Sequence, residues 1–237
     1  MKLALAHDWL NQIGGAENVL EQLVSMFPGA PVFTTIYAPE LMPPAYRYWD
    51  IRATWLNRAP QIHRRHQPYL PLYPPAVSSL NLDGFDVILS NKSGFIHGLR
   101  HRPAQLHICY CLSPTRYVWD YRSYAAREGF GRWLGLLIKP VIRKLQRWDY
   151  QAAQPPRPID GRRRGVHHFV AISREIQARI KKFYGRQSII IYPPVDTRHF
   201  RPVARPGGDY YLIVSRVIPY KRLDLAVVAL SQVKRRL

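Results

Sequence analysis

Cysteine is almost absent: the 237-residue chain has two, Cys109 and Cys111. That excludes a disulfide framework, and Cys-x-Cys alone is too little for a zinc site. The expectation is core packing in a reducing compartment. Acidic residues are scarce too, 15 against 35 Lys and Arg, for a net charge of +20. An acidic, solvating chain is excluded, and anionic partners are favoured: phosphates, nucleic acid or an acidic membrane surface. Apolar runs approaching the ~20 residues of a membrane span are missing. The longest candidate, Trp133 to Ile142, is interrupted by Lys139 and Pro140. The apolar start, Met1 to Ala6, gives way to His7 and Asp8 and is too short for a secretory leader. The expected setting is therefore the cytoplasm. No internal repeat occurs.

Apolar residues make up 47% of the chain, enough for a packed core. Arg outnumbers Lys 27 to 8, and residues 119–237 carry most of the positive charge. The planar guanidinium fork suits phosphate. Short β-like runs alternate with helical patterns. Lys2–His7, Pro31–Ile36, Phe85–Ser90, Leu106–Tyr110, His168–Ala171 and Ser188–Tyr192 read as strands. Ala16, Val19, Leu20, Leu23, Val24 and Phe27 form one helical stripe, closed by Pro28 and Gly29. A second helix starts at the N-cap Ser173 and stops at Gly185. This alternation predicts an α/β, doubly wound, mostly parallel sheet.

Residues 38–80 read as an irregular excursion, and residues 151–166 as an exposed, flexible insert. A linker follows Pro193-Pro194. A new strand is expected at Tyr210–Ser215, then a helix with Leu223, Ala226, Val227, Leu230, Val233 and Leu237 on one stripe. The expected division is one domain over 1–200, a linker over 201–209, and the first βα unit of a second domain over 210–237.

Three segments carry chemistry. His7 to Glu17 runs from a strand through Gly14-Gly15 into a helix. Its glycines let a ligand approach the backbone, and the helix start favours an anion. It is neither the dinucleotide fingerprint nor a P-loop. Ser215 to Arg222 places Arg216 and Lys221 between a strand and a helix, where two cations suit a diphosphate. His107 to Asp120 runs into an aromatic, polar loop with Arg116, Tyr117 and Trp119, candidates to hold an acceptor sugar or phosphate. A tight turn, a solvated basic loop and simple loop packing are the respective structural alternatives.

Together with Ser90–Leu99 (SNKSGFIHGL), Phe169–Gly185, Ile191–Phe200 and Tyr211–Leu230, these segments resemble, in order, the retaining glycosyltransferases of family 4. The resemblance implies a Rossmann-like acceptor-side domain of a GT-B fold and a truncated second α/β domain. It also implies transfer of a sugar from a UDP- or GDP-linked donor to a polysaccharide or lipid-linked acceptor. No metal or other cofactor is implied. Arg216 and Lys221 match the cations that hold the donor diphosphate, and Gly14 and Gly15 the loop that closes on it. Glu17, Arg116, Tyr117 and Trp119 are the acceptor-side candidates. Leu112 stands where many relatives carry a His, so no catalytic residue is assigned. The family's Glu-x7-Glu motif would lie beyond Leu237. Location on the inner face of the plasma membrane is the corresponding expectation, with the basic stretch Phe130–Trp148 either on the membrane or packed on the core. Two rivals remain: an inactive acceptor- or partner-binding half-protein, and a basic nucleic-acid-binding module drawn from the charge, the aromatics and the run Gly161–Gly165 (GRRRG).

Overall fold

The computed structural model describes residues 1–121, 132–197, 200–202, 208, 210–215, 217 and 221–232, with backbone alone for 132–137. The chain divides into two compact units, one of Met1–Tyr121 with Leu137–Pro194, the other of Arg122–Leu136 with Val195–Leu237.

The first unit is built on a seven-stranded parallel sheet. Its strands are β1 (Leu3–His7), β2 (Val32–Thr34), β3 (Ile51–Ala53), β4 (Val87–Lys92), β6 (Leu106–Cys111), β9 (His168–Ala171) and β10 (Ser188–Ile190). Their order is β10-β9-β6-β4-β1-β2-β3. The fold is thus α/β and Rossmann-like in its general plan. β1 is apolar from Leu3 to Ala6, as a strand covered on both faces requires, and ends in the polar His7. Leu5 stands level with Val32 on one side and Leu89 on the other.

Helix α1 (Gly15–Met26) buries Val19 and Leu20 against the sheet. Each such side chain contributes about 1.5–3 kcal/mol. Residues 38–80 are largely irregular, with 3-10 turns at Pro44–Tyr48, Trp55–Arg58 and Gln67–Leu72, but they also hold β3 and the short helix α2 (Tyr73–Ser78). Helix α3 (Arg116–Trp119) follows β6. Helix α4 (Arg132–Ala152) runs through Pro140. Of its described side chains, Ile142 and Leu145 join the core while Lys139, Arg143, Lys144 and Arg147 face solvent. Helix α5 (Arg174–Tyr184) starts where expected: Ser173 Oγ accepts from Ile176 N at 3.2 Å. It ends at Gly185, whose φ of 68° closes the last turn.

Residues 151–166 correct the sequence reading. They are not an exposed insert. They form a hairpin of β7 (Arg157–Ile159) and β8 (Arg162–Arg164), and β8 pairs with β5 (Arg100–His101) in a three-stranded antiparallel sheet. Asp160 and Gly161 have φ of 47° and 72°, the conformation a two-residue hairpin turn requires. Val166 is fully buried and Arg164 is 8% exposed. Gly165 has φ 143°, and any Cβ there would meet the backbone of Gln154 and Pro156.

In the second unit the expected strand at Tyr210–Ser215 does not form. Tyr211 to Ser215 hold no strand, and Tyr211, Leu212 and Val214 are exposed. A strand needs a partner ladder and a covered face, and among the described residues no strand pairs with this segment. Helix α6 (Leu223–Gln232) is present, with Leu225, Val227 and Val228 each 53% exposed. Val233 and Leu237 lie outside the described residues, as does much of the expected linker.

Candidate functional site

β1 is flanked by β2 on one side and β4 on the other, so the chain leaves it in opposite directions. Open α/β sheets bind ligands outside the carboxyl ends of the strands at such a point. Three of the sequence segments meet there. Asp8, just beyond β1, is buried, and its carboxylate accepts from the backbone N–H groups of Ser93, Gly94 and Ile96 at 2.6, 2.6 and 2.8 Å. Gly94 must stay glycine: a Cβ would meet the Trp9 ring at 2.7 Å. Thr115 Oγ1 lies 2.6 Å from Gly94 O. Tyr117 packs edge-on against Trp9, with ring centroids 6.0 Å apart.

Gly14 caps α1 without any side-chain hydrogen bond, and a Cβ on Gly15 would meet nothing within 4 Å. Space at Gly15 is therefore open among the described residues, beside a helix start whose N-cap supplies no side-chain acceptor. Below it, Asn91 Nδ2 donates to Ala16 O at 2.8 Å and lies 3.3 Å from His7 Nδ1. His7 Nε2 lies 3.4 Å from Glu17 Oε1. With Asn91 as donor, the imidazole proton sits on Nε2, facing Glu17.

The acceptor-side candidates divide. Glu17 is buried beside His7. Trp119 stacks on Phe183 at 5.0 Å and donates Nε1–H to Asp149 Oδ2 at 2.6 Å, so both of its recognition features face inward. Tyr117 is half-buried on Trp9, and Arg116 is exposed at the start of α3. On the donor side, Lys221 is exposed in the second unit, and Arg216 lies outside the described residues.

Two charged residues under this site were not singled out from the sequence. Lys92 ends β4 fully buried. Its Nζ donates to Ser113 O and Thr115 Oγ1, both at 3.1 Å, and lies 5.5 Å from the centre of the Tyr184 ring. Asp149, also fully buried, receives Trp119 Nε1–H, the Tyr184 hydroxyl at 2.8 Å, and Thr115 Oγ1 at 2.6 Å. Asp149 is the one acidic residue between Glu128 and Asp160. That isolation within a basic stretch was the available signal. Lys92 offered a weaker one, as a cation closing an apolar strand.

Burial also shapes the titrating groups. His66, packed on Trp9 at 5.0 Å, is pushed down to about 4 by desolvation. Desolvation likewise takes His97 to about 4 and His107 to about 3. The Cys111 thiol is raised to about 11, and Cys109 is raised well above its usual value. Both cysteines are core residues.

Among the described residues no group of three or more His, Cys, Asp or Glu is arranged to hold a metal ion, and no helix is long and apolar enough to cross a membrane. A surface groove of about 500 Å³ lies at the β3 edge, lined by Phe33, Arg52, Thr54, Trp55 and Asn81 among others. None of the chemistry-bearing segments reaches it. The GRRRG run is not a free basic tail: Arg162 is held bidentately by Asp83 at 2.9 Å, and Arg164 lies over Trp148. Compared with protein-family models and with curated protein sequences, the chain matches none.

Proposed function

We propose that this chain is the acceptor-side part of a retaining sugar transferase of the GT-B type, drawing on a UDP- or GDP-linked donor. The observation that carries the reading is the convergence of segments 7–17, 90–99 and 107–121 at the carboxyl ends of β1, β4 and β6. Those are the segments whose order and residues resemble family 4. A tie between Asp8 and the loop after β4 fixes the floor of the site, leaving Gly15 open above it.

The chemistry follows from that geometry. As the glycosidic bond breaks, positive charge spreads over the sugar ring and negative charge collects on the departing diphosphate. Backbone N–H groups at the start of α1 stabilise that developing charge more than they stabilise the ground state. In this reading Arg216 and Lys221 supply the cations on the donor side, and Arg116 and Tyr117 contact the acceptor. Glu17 orients His7 beneath the loop, and Trp119 positions the 107–121 segment through Asp149. The acceptor is a glycan or a lipid-linked phosphate.

The test is release of UDP or GDP from a panel of nucleotide sugars by the full-length gene product, with lipid-linked phosphate acceptors present. Nucleotide release that Gly15→Val abolishes is the expected result. No release from any donor overturns the transferase reading. Acceptor binding without release favours the second reading, an inactive acceptor-binding protein, for which Leu112 is the motivating residue: it can neither donate a hydrogen bond nor take a proton.

A further inference from the structure

The small antiparallel sheet carries an unusual line of charge. Arg100 on β5, Arg164 on β8 and Arg157 on β7 are direct cross-strand partners, so three guanidinium side chains leave one face side by side. Like charges directly opposite one another destabilise a sheet. Among the described residues only Asp160 approaches the trio, 3.4 Å from Arg100. The neighbouring Asp83 is already shared between Arg102 and Arg162, at 2.9 Å to each.

Arg164, in the middle, is 8% exposed. It lies over Trp148 at 5.4 Å and donates to Ser78 Oγ at 3.0 Å, but no carboxylate meets it among the described residues. Its Nε and that of Arg100 are both buried and unpartnered. Burial and the charges of Arg100 and Arg157 lower its pKa. A buried guanidinium left without a counter-charge is costly, and an anion relieves that cost.

We propose that this arginine face binds a phosphate group, either free in solution or displayed on a phospholipid headgroup. A tetrahedral dianion offers several acceptor oxygens to several planar forks at once, which a single carboxylate does not. The site is distinct from the Gly14–Gly15 loop. Asp83 precedes β4, Gly165 precedes β9 and Gln105 precedes β6, so the small sheet sits at the amino ends of the parallel strands, the opposite end from Gly15. The proposal does not depend on the transferase reading, and its test uses no nucleotide sugar.

Pyrophosphate binding to the full chain is measured by calorimetry at constant ionic strength. In a second arm, the chain is floated with phosphatidylcholine vesicles that contain or lack phosphatidic acid. Arg157→Ala and Arg100→Ala remove exposed or half-exposed ends of the line, and circular dichroism checks that both variants fold. Binding in either arm, weakened about tenfold or more by each variant, supports the site. Pyrophosphate binding identifies the free anion as a source, and vesicle binding alone identifies the headgroup. Absence of binding in both arms overturns the proposal. So does an equal loss in Arg143→Ala/Arg147→Ala on α4, which would mean attraction by general charge.

Discussion

Trp119 and Asp149 lie thirty residues apart in sequence and are joined by a 2.6 Å hydrogen bond from indole Nε1 to Oδ2. The bond ties the aromatic segment after β6 to the last turn of the basic helix α4, and Thr115 and Tyr184 share the same carboxylate. Removing Asp149 takes the acceptor from the buried Tyr184 hydroxyl and from the half-buried Trp119 N–H, and leaves the Lys92 charge without its nearby opposite; Thr115 keeps Gly94 O. Asp149→Ala is expected to cost about 4 kcal/mol of stability, read from urea unfolding. A cost under about 1 kcal/mol would mean that water replaces the carboxylate.

Glycines 15 and 165 separate function from folding. At Gly165 the φ of 143° and the backbone of Gln154 and Pro156 leave no room for a methyl group. Gly165→Ala is expected to lose about 2 kcal/mol or more. Gly15→Ala meets open space at a helix start and should change stability by less than about 1 kcal/mol, in the favourable direction. If the loop closes on a diphosphate, the same variant lowers nucleotide release. Thermal unfolding and the donor assay, run on both variants, separate the two effects.

Acid should weaken the fold well above the carboxylate range. His66, His97 and His107 are held near 4, 4 and 3 by burial, against about 6.5 in the unfolded chain. Between those values the unfolded state binds more protons, so stability rises with pH. The contribution is complete above about pH 6.5 and shrinks as pH falls toward 4, by about 2 kcal/mol per histidine at pH 5. Urea midpoints at pH 7.5 and pH 5 measure it, and equal midpoints would contradict it.

Cys109 and Cys111 should be inert in the native protein. Both are fully buried, and desolvation raises both thiols, which suppresses the reactive thiolate. Iodoacetamide at pH 8 is expected to label neither until denaturant is added. Rapid native labelling would reveal local opening of the β6 end.

The main sheet was legible because its strands are buried on both faces and read as apolar runs. His168–Ala171 has the same bounds in sequence and structure, and Ser173 and Gly185 bracket α5 as their chemistry dictates. The β7–β8 hairpin was missed because arginine and proline dominate its composition, though Asp160-Gly161 is the turn dipeptide that marks it. β3 is three residues long and polar on one face, below what periodicity detects. At the site, the glycine loop and the aromatic segment stood out locally. The inward direction of Glu17 and Trp119 did not, because it depends on His7 and Asp149, partners brought near by the fold.

The sheet order has a consequence for synthesis. β1 is the first of these strands to be made, yet it ends between two others. Its β2 side can pair as soon as Thr34 has emerged, but its β4 side waits until Lys92. Throughout that interval an apolar strand presents an open row of amides and carbonyls to any passing chain. The nascent protein is therefore most prone to wrong pairing while its eventual centre is still its edge.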